Sequence, residues 1–180
     1  MRSPRRESGF SLVEVVVVTA VFVTLLAMFV SVDHATRSFS SRTSASSRAN
    51  EEEQRSLAAL ANLLRGAAAG TLTGFDGAGV ATAPSFQTVT GEDAGGRILG
   101  PVQSLAWRAV ANGSDDVKNP GEVALDVGGV TIPFAPRVPK GGFVVTQTGS
   151  TLRVTLTTYC TTSDRTTASV TGDVSISLRN

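Results

Sequence analysis

Histidine and cysteine are almost missing from this chain, with His34 and Cys160 the single representatives of each. One thiol cannot close an intrachain disulfide. One imidazole and one thiol supply neither a Cys-rich zinc set nor the base of a serine-type triad. Charge of one sign is scarce too. The formal net charge is +1, too small a field to grip nucleic acid or an acidic substrate. Aromatics make up 6% of the residues. Proline is absent between Pro4 and Pro84, and glycine between Gly9 and Gly66, so the strongest helix breakers are missing from Phe10 to Arg65. The carboxylates are scattered and form no catalytic constellation. No cofactor, no metal and no enzymatic activity are expected.

What is present is unevenly placed. Hydrophobic residues make up 41% of the chain, and a large share sits between Phe10 and Val32. That run, FSLVEVVVVTAVFVTLLAMFVSV, has 23 residues and one charge, Glu14. A helix needs ~20 such residues at ~1.5 Å each to cross a ~30 Å hydrocarbon layer. Arg2, Arg5 and Arg6 before the run and Asp33 after it favour a cytoplasmic N-terminus and a periplasmic C-terminal region. A cleavable secretory signal fits poorly, because its apolar core is shorter and ends in a small-x-small site. The following stretch SVDHATRS offers no such site, and Glu7-Ser8-Gly9 lacks the apolar residues a twin-arginine signal would place after Arg5-Arg6.

Glu14 argues against a plain membrane anchor. A carboxylate in a bilayer helix costs on the order of 2.5–3.5 kcal/mol near the centre and less near the edge. Such a group normally has a partner. Glu14 lies four residues after Phe10, about one helical turn, and Gly9 precedes Phe10. Cutting the Gly9–Phe10 bond would create a cationic amine at the apolar edge. That amine and Glu14 would neutralise each other, within one chain or between stacked neighbours.

Gly9-Phe10-Ser11-Leu12-Val13-Glu14, followed by the apolar run, resembles the prepilin cleavage and methylation motif of type IV pilins and type II secretion pseudopilins. The resemblance implies that prepilin peptidase cuts after Gly9 and methylates the new amine on Phe10. It implies that Glu14 pairs with the Phe10 amine of the adjacent subunit in filament assembly. It also implies a pilin-like α+β fold, in which a long N-terminal helix packs by its second half on an antiparallel sheet. The expected partners are prepilin peptidase, other pilin or pseudopilin subunits, an inner-membrane assembly platform and, before assembly, membrane lipid. No nucleic-acid partner is expected.

The residues beyond the membrane run agree with that plan. A continuous helix from Phe10 to Arg65 would be ~84 Å long. The Ser-rich stretch Ser38–Ser47 is its weakest part by propensity. Arg48/Glu52 and Glu51/Arg55 are i,i+4 pairs. Leu57, Leu60, Ala61 and Leu64 share one face and are expected to pack the helix on the sheet. Gly66 ends the helix. The expected division is leader 1–9, transmembrane or filament-core helix 10–32, amphipathic continuation 33–66, Gly/Thr/Ala-rich connector 67–101 and β-sheet head 102–180. Short strands are expected around Val80, Phe86, Val89 and Ile98 within the connector. Gly128-Gly129 and Thr148-Gly149-Ser150, each between apolar runs, predict hairpins. Pro133 and Pro136 predict an edge strand, and Gly172 a bulge.

Ser31 stands where major pilins often carry a helix proline, which shifts the expectation toward minor subunits. The closing SISLRN and the QRSLAALANLLRGA segment resemble PilW-like minor pilins and J-type minor pseudopilins. The expected role is a minor structural subunit that primes or caps a filament. A monomeric periplasmic binding domain on an uncut single-pass anchor is the alternative. Asp115-Asp116 is read as a solvated turn in preference to a calcium site, since calcium wants six or more oxygens. Asn112-Gly113-Ser114 is read as a turn in preference to a glycosylation acceptor. Cys160 and Trp107 are expected in the core, and His34 at the polar boundary of the membrane run.

Overall fold

A computed structural model describes residues 11–110, 121–161 and 167–178. The chain separates into two compact units, residues 1–41 and 42–180. Helix α1 runs Leu12–Arg65, unbroken through the Ser-rich stretch. Its first backbone bonds are made by Glu14 and Val15, whose N–H groups donate to the Ser11 carbonyl at 2.9 and 3.2 Å. In the first unit every described side chain except Ser41 is exposed, the whole apolar run included.

The second unit holds the folded β region. Among the described residues, eight strands form two antiparallel sheets of four. The first has the order β1 (Val80–Ala81), β6 (Phe143–Thr148), β7 (Thr151–Thr161), β8 (Thr167–Ser177). The second has the order β2 (Ser85–Asp93), β3 (Gly96–Arg108), β4 (Gly121–Val127), β5 (Val130–Val138). The α+β, pilin-like arrangement is therefore as expected, with its strands divided between two sheets. The reason is visible in the apolar positions. Phe86, Leu105, Val123 and Ala135 of the second sheet and Phe143, Val145, Leu152, Val154, Leu156 and Ile176 of the first lie in one core cluster. Leu57, Leu60, Ala61 and Leu64 of α1 belong to the same cluster. Three layers thus share a core that one sheet and one helix face could not fill alone.

The β region starts earlier than residue 102. Segment 67–101 contains β1, β2 and the first part of β3, with a 3-10 turn at Ala69–Thr71. The strands expected around Val80, Phe86, Val89 and Ile98 are present, but longer than expected, and β2 is irregular, with register shifts between Gln87 and Val89 and between Val89 and Gly91. Both Gly-centred hairpins form. Gly128 and Gly129 have φ of 59° and 85° between β4 and β5, the left-handed pair that a two-residue type I′ turn requires. Gly149 (φ 59°) and Ser150 link β6 to β7. β5, with Pro133 and Pro136, is an edge strand.

Gly172 is not a bulge. The β7–β8 ladder runs in unbroken register from Thr151↔Ser177 to Thr161↔Thr167. Glycine stands there for another reason: a Cβ at that position would overlap the Glu53 carboxyl and lie 3.0 Å from Leu57 Cδ1. The strand needs a gap where the helix presses on it.

Candidate functional site

Three described hydroxyls along the apolar run, those of Thr19, Thr24 and Ser31, meet the requirements of a lipid-facing helix. Hydroxyls in hydrocarbon need an internal acceptor. Thr19 Oγ1 donates to the Val15 carbonyl at 2.7 Å, Thr24 Oγ1 to Ala20 at 2.8 Å and Ser31 Oγ to Ala27 at 2.9 Å. Each bond reaches one turn back, so these three hydroxyls need no water. Among the described residues, α1 is the one helix long and apolar enough to cross a membrane. Past the run, Asp33 and Arg37 pair at 2.9 Å and Thr36 Oγ1 bonds the Val32 carbonyl. The exposed His34 lies among these polar groups at the end of the run.

Glu14 sits in the first turn of α1 and is exposed. The helix dipole favours a carboxylate there by a few tenths of a kcal/mol up to about 1 kcal/mol. Gly9 and Phe10 lie outside the described residues, as do Asp115, Asp116 and the Asn112-Gly113-Ser114 tripeptide.

Residues 4–30 match the family model of the prokaryotic N-terminal methylation motif. The match supports a type IV pilin- or pseudopilin-like protein. With the long apolar helix it supports a prepilin-type, membrane-anchored subunit. The motif implies processing by prepilin peptidase and assembly with other pilins. No curated protein and no solved structure matches the pilin-like chain.

In the head of this pilin-like chain, the helix is held on the sheets by more than its leucines. Leu60 and Leu64 are fully buried, with Leu57 and Ala61 nearly so. Ala45 and Ala49 are buried as well, and the buried Thr158 hydroxyl donates to the Ala49 carbonyl at 3.0 Å. Arg137, the non-glycine residue with φ of 56°, reaches Glu52 of α1 at 3.0 Å and lies 3.9 Å from the Cys160 sulfur. Glu52 is therefore drawn to β5, while Glu51 and Arg55 approach only to 4.0 Å along the exposed side of α1. Cys160 is a buried free thiol, as expected. Trp107 is partly buried against the core and its Nε1 donates to the Val138 carbonyl at 2.8 Å.

Glu53 went unnoticed in the sequence. It is 4% exposed, and among the described residues no hydrogen bond or ion pair reaches its carboxylate. Burial pushes this carboxyl above its ordinary value of 4.5. The spacing Glu53, Leu57, Leu60, Leu64 was the available signal, because it puts a charge on the apolar face. Folded protein then binds the proton more tightly than unfolded protein. Stability lost to the ionised Glu53 is accordingly regained as pH falls through the raised folded value toward 4.5. Glu53→Gln is expected to melt higher than wild type at neutral pH, with the gap closing on acidification across that window. A gap unchanged by pH would mean that Glu53 is already neutral or paired.

Proposed function

We propose that this chain is a minor structural subunit of a type IV pilus or type II secretion pseudopilus, and that it primes or caps the filament through its N-terminal helix. The observation that carries the reading is the methylation motif continuing into an exposed apolar helix with Glu14 in its first turn. Residues 1–9 are the leader, removed by prepilin peptidase between Gly9 and Phe10, and the Phe10 amine is then methylated. Residues 10–32 wait in the inner membrane with the N-terminus cytoplasmic and the head periplasmic. They move into the filament core when the assembly platform adds the subunit. There Glu14 meets the Phe10 amine of the next subunit, an ion pair in a dry environment where neither charge is tolerable alone. The head acts by contact and carries out no catalysis.

Gly9→Val tests the processing step. In cells with an active prepilin peptidase, the variant is expected to accumulate at full precursor mass in the membrane fraction. A variant that matures normally would place the junction elsewhere. A deletion strain separates the two machines: loss of twitching or DNA uptake marks a pilus, loss of exoprotein release a pseudopilus.

A further inference from the structure

Each sheet has two edges, and among the described residues three of the four are blunted. β1 is two residues long. β2 is broken by two register shifts and carries bridges from Ala67 and Thr73. β5 contains Pro133 and Pro136. Such devices keep strands from pairing with strangers. β8 has none of them: eleven residues, no proline, no lysine and an even ladder to β7.

The open side of β8 can be assigned. Leu178 N–H donates to the Ser150 carbonyl at 2.8 Å, one step beyond the Thr151↔Ser177 pair. Antiparallel pairing alternates. The N–H and C=O groups of Ser177, Ser175, Asp173, Thr171, Ser169 and Thr167 therefore point away from β7, toward no strand among the described residues. Beside this edge runs a groove of about 490 Å³ between β8 and α1, lined by Glu53, Leu57, Ala61, Arg65, Gly172 and Val174. The carboxylate of Glu53, a residue only 4% exposed, lies over Gly172 at the wall of this groove and has no protein partner among the described residues. Arg65 is hydrogen-bonded to Asn62, and Asp173 is paired with Arg153 at 3.1 Å.

We infer that β8 is a docking edge for an extended segment of a different subunit, which adds as a fifth strand and places a lysine or arginine on Glu53. A side chain opposite Gly172 on the added strand shares its face, and cross-strand neighbours stand ~5 Å apart. It would enter the space that glycine leaves and meet the carboxylate. A second copy of this chain is a poor occupant through the same edge. The described part of β8 has one charge, Asp173, so two copies would bring acids together and give Glu53 no cation. The inference rests on the subunit reading, because that reading supplies the neighbour.

The test uses purified mature protein in detergent micelles and two nine-residue peptides of alternating threonine and valine, one with central lysine and one with central glutamine. Binding is followed by fluorescence anisotropy. The lysine peptide is expected to bind wild type about 10-fold more tightly than the glutamine peptide, a charge-assisted preference that Glu53→Gln erases. Ser175→Pro removes an outward N–H at an edge position that tolerates proline and is expected to abolish binding of both peptides while leaving the melting temperature within a few degrees of wild type. Equal binding of the two peptides, no binding, or binding indifferent to Glu53→Gln overturns the inference. So does self-association of the protein that Ser175→Pro abolishes, since it gives the edge to a second copy. None of these outcomes touches the clipping of Gly9 or the assembly role of Glu14, which are read in cells.

Discussion

Glu14→Ala is expected to insert in the membrane and to be clipped like wild type, yet to enter filaments at about a tenth or less of the wild-type level. The separation of effects follows from where each event reads the chain. Insertion depends on the apolar run, which the substitution makes more apolar. Under the proposed reading, clipping depends on the Gly9–Phe10 junction, which Glu14 follows by four residues. Assembly is different, because packing helices together removes lipid headgroups and water from a fresh cationic amine. Leaving one charge of such a pair buried costs on the order of 3–5 kcal/mol, enough to shift incorporation by well over tenfold. Quantifying the clipped subunit in sheared filaments against the membrane pool checks the expectation. Wild-type incorporation of Glu14→Ala would leave the carboxylate without a task.

Leu60→Ala is expected to destabilise the head by about 2–5 kcal/mol, through the lost transfer energy and the cavity left behind. Leu60 is fully buried in the cluster that α1 shares with both sheets. The cluster it belongs to draws on strands of both sheets, so only partial collapse into the space is expected. For a domain of this size the melting temperature should fall by on the order of 10 °C. Arg55→Ala, on the exposed side of the same helix, should stay within about 0.5 kcal/mol of wild type. Thermal unfolding followed by circular dichroism distinguishes them. Equal, small effects would mean that α1 is not a structural part of the head core.

The features most legible in the sequence were those set by short-range rules. The apolar run, the breaker-free span to Arg65 and the two glycine-centred hairpins each depend on local composition or on left-handed backbone that glycine alone adopts easily. The leucine spacing gave the buried face of α1 because a helix repeats every 3.6 residues. Division into two sheets was not legible, since strand partners are chosen by long-range packing. Strand positions were read at Phe86 and Val89, but the full length of β2 was obscured for a related reason, as its shifted register breaks the two-residue alternation. Gly172 was misread because a strand glycine has two explanations, a bulge or a close neighbour, and only the position of Glu53 separates them. Arg137 gave no sign of its pairing with Glu52, 85 residues away. Glu53 was hidden by its company, for Glu51-Glu52-Glu53 reads as a solvated run until the helix phase is applied to each residue.

Intact and N-terminal mass spectrometry of the protein purified from cells with an active prepilin peptidase tests the central claim most directly. The expected species begins at Phe10, lacks Met1 to Gly9 and carries one methyl group on its terminal amine. A chain that keeps its first nine residues under those conditions would contradict the prepilin reading and favour an uncut membrane anchor.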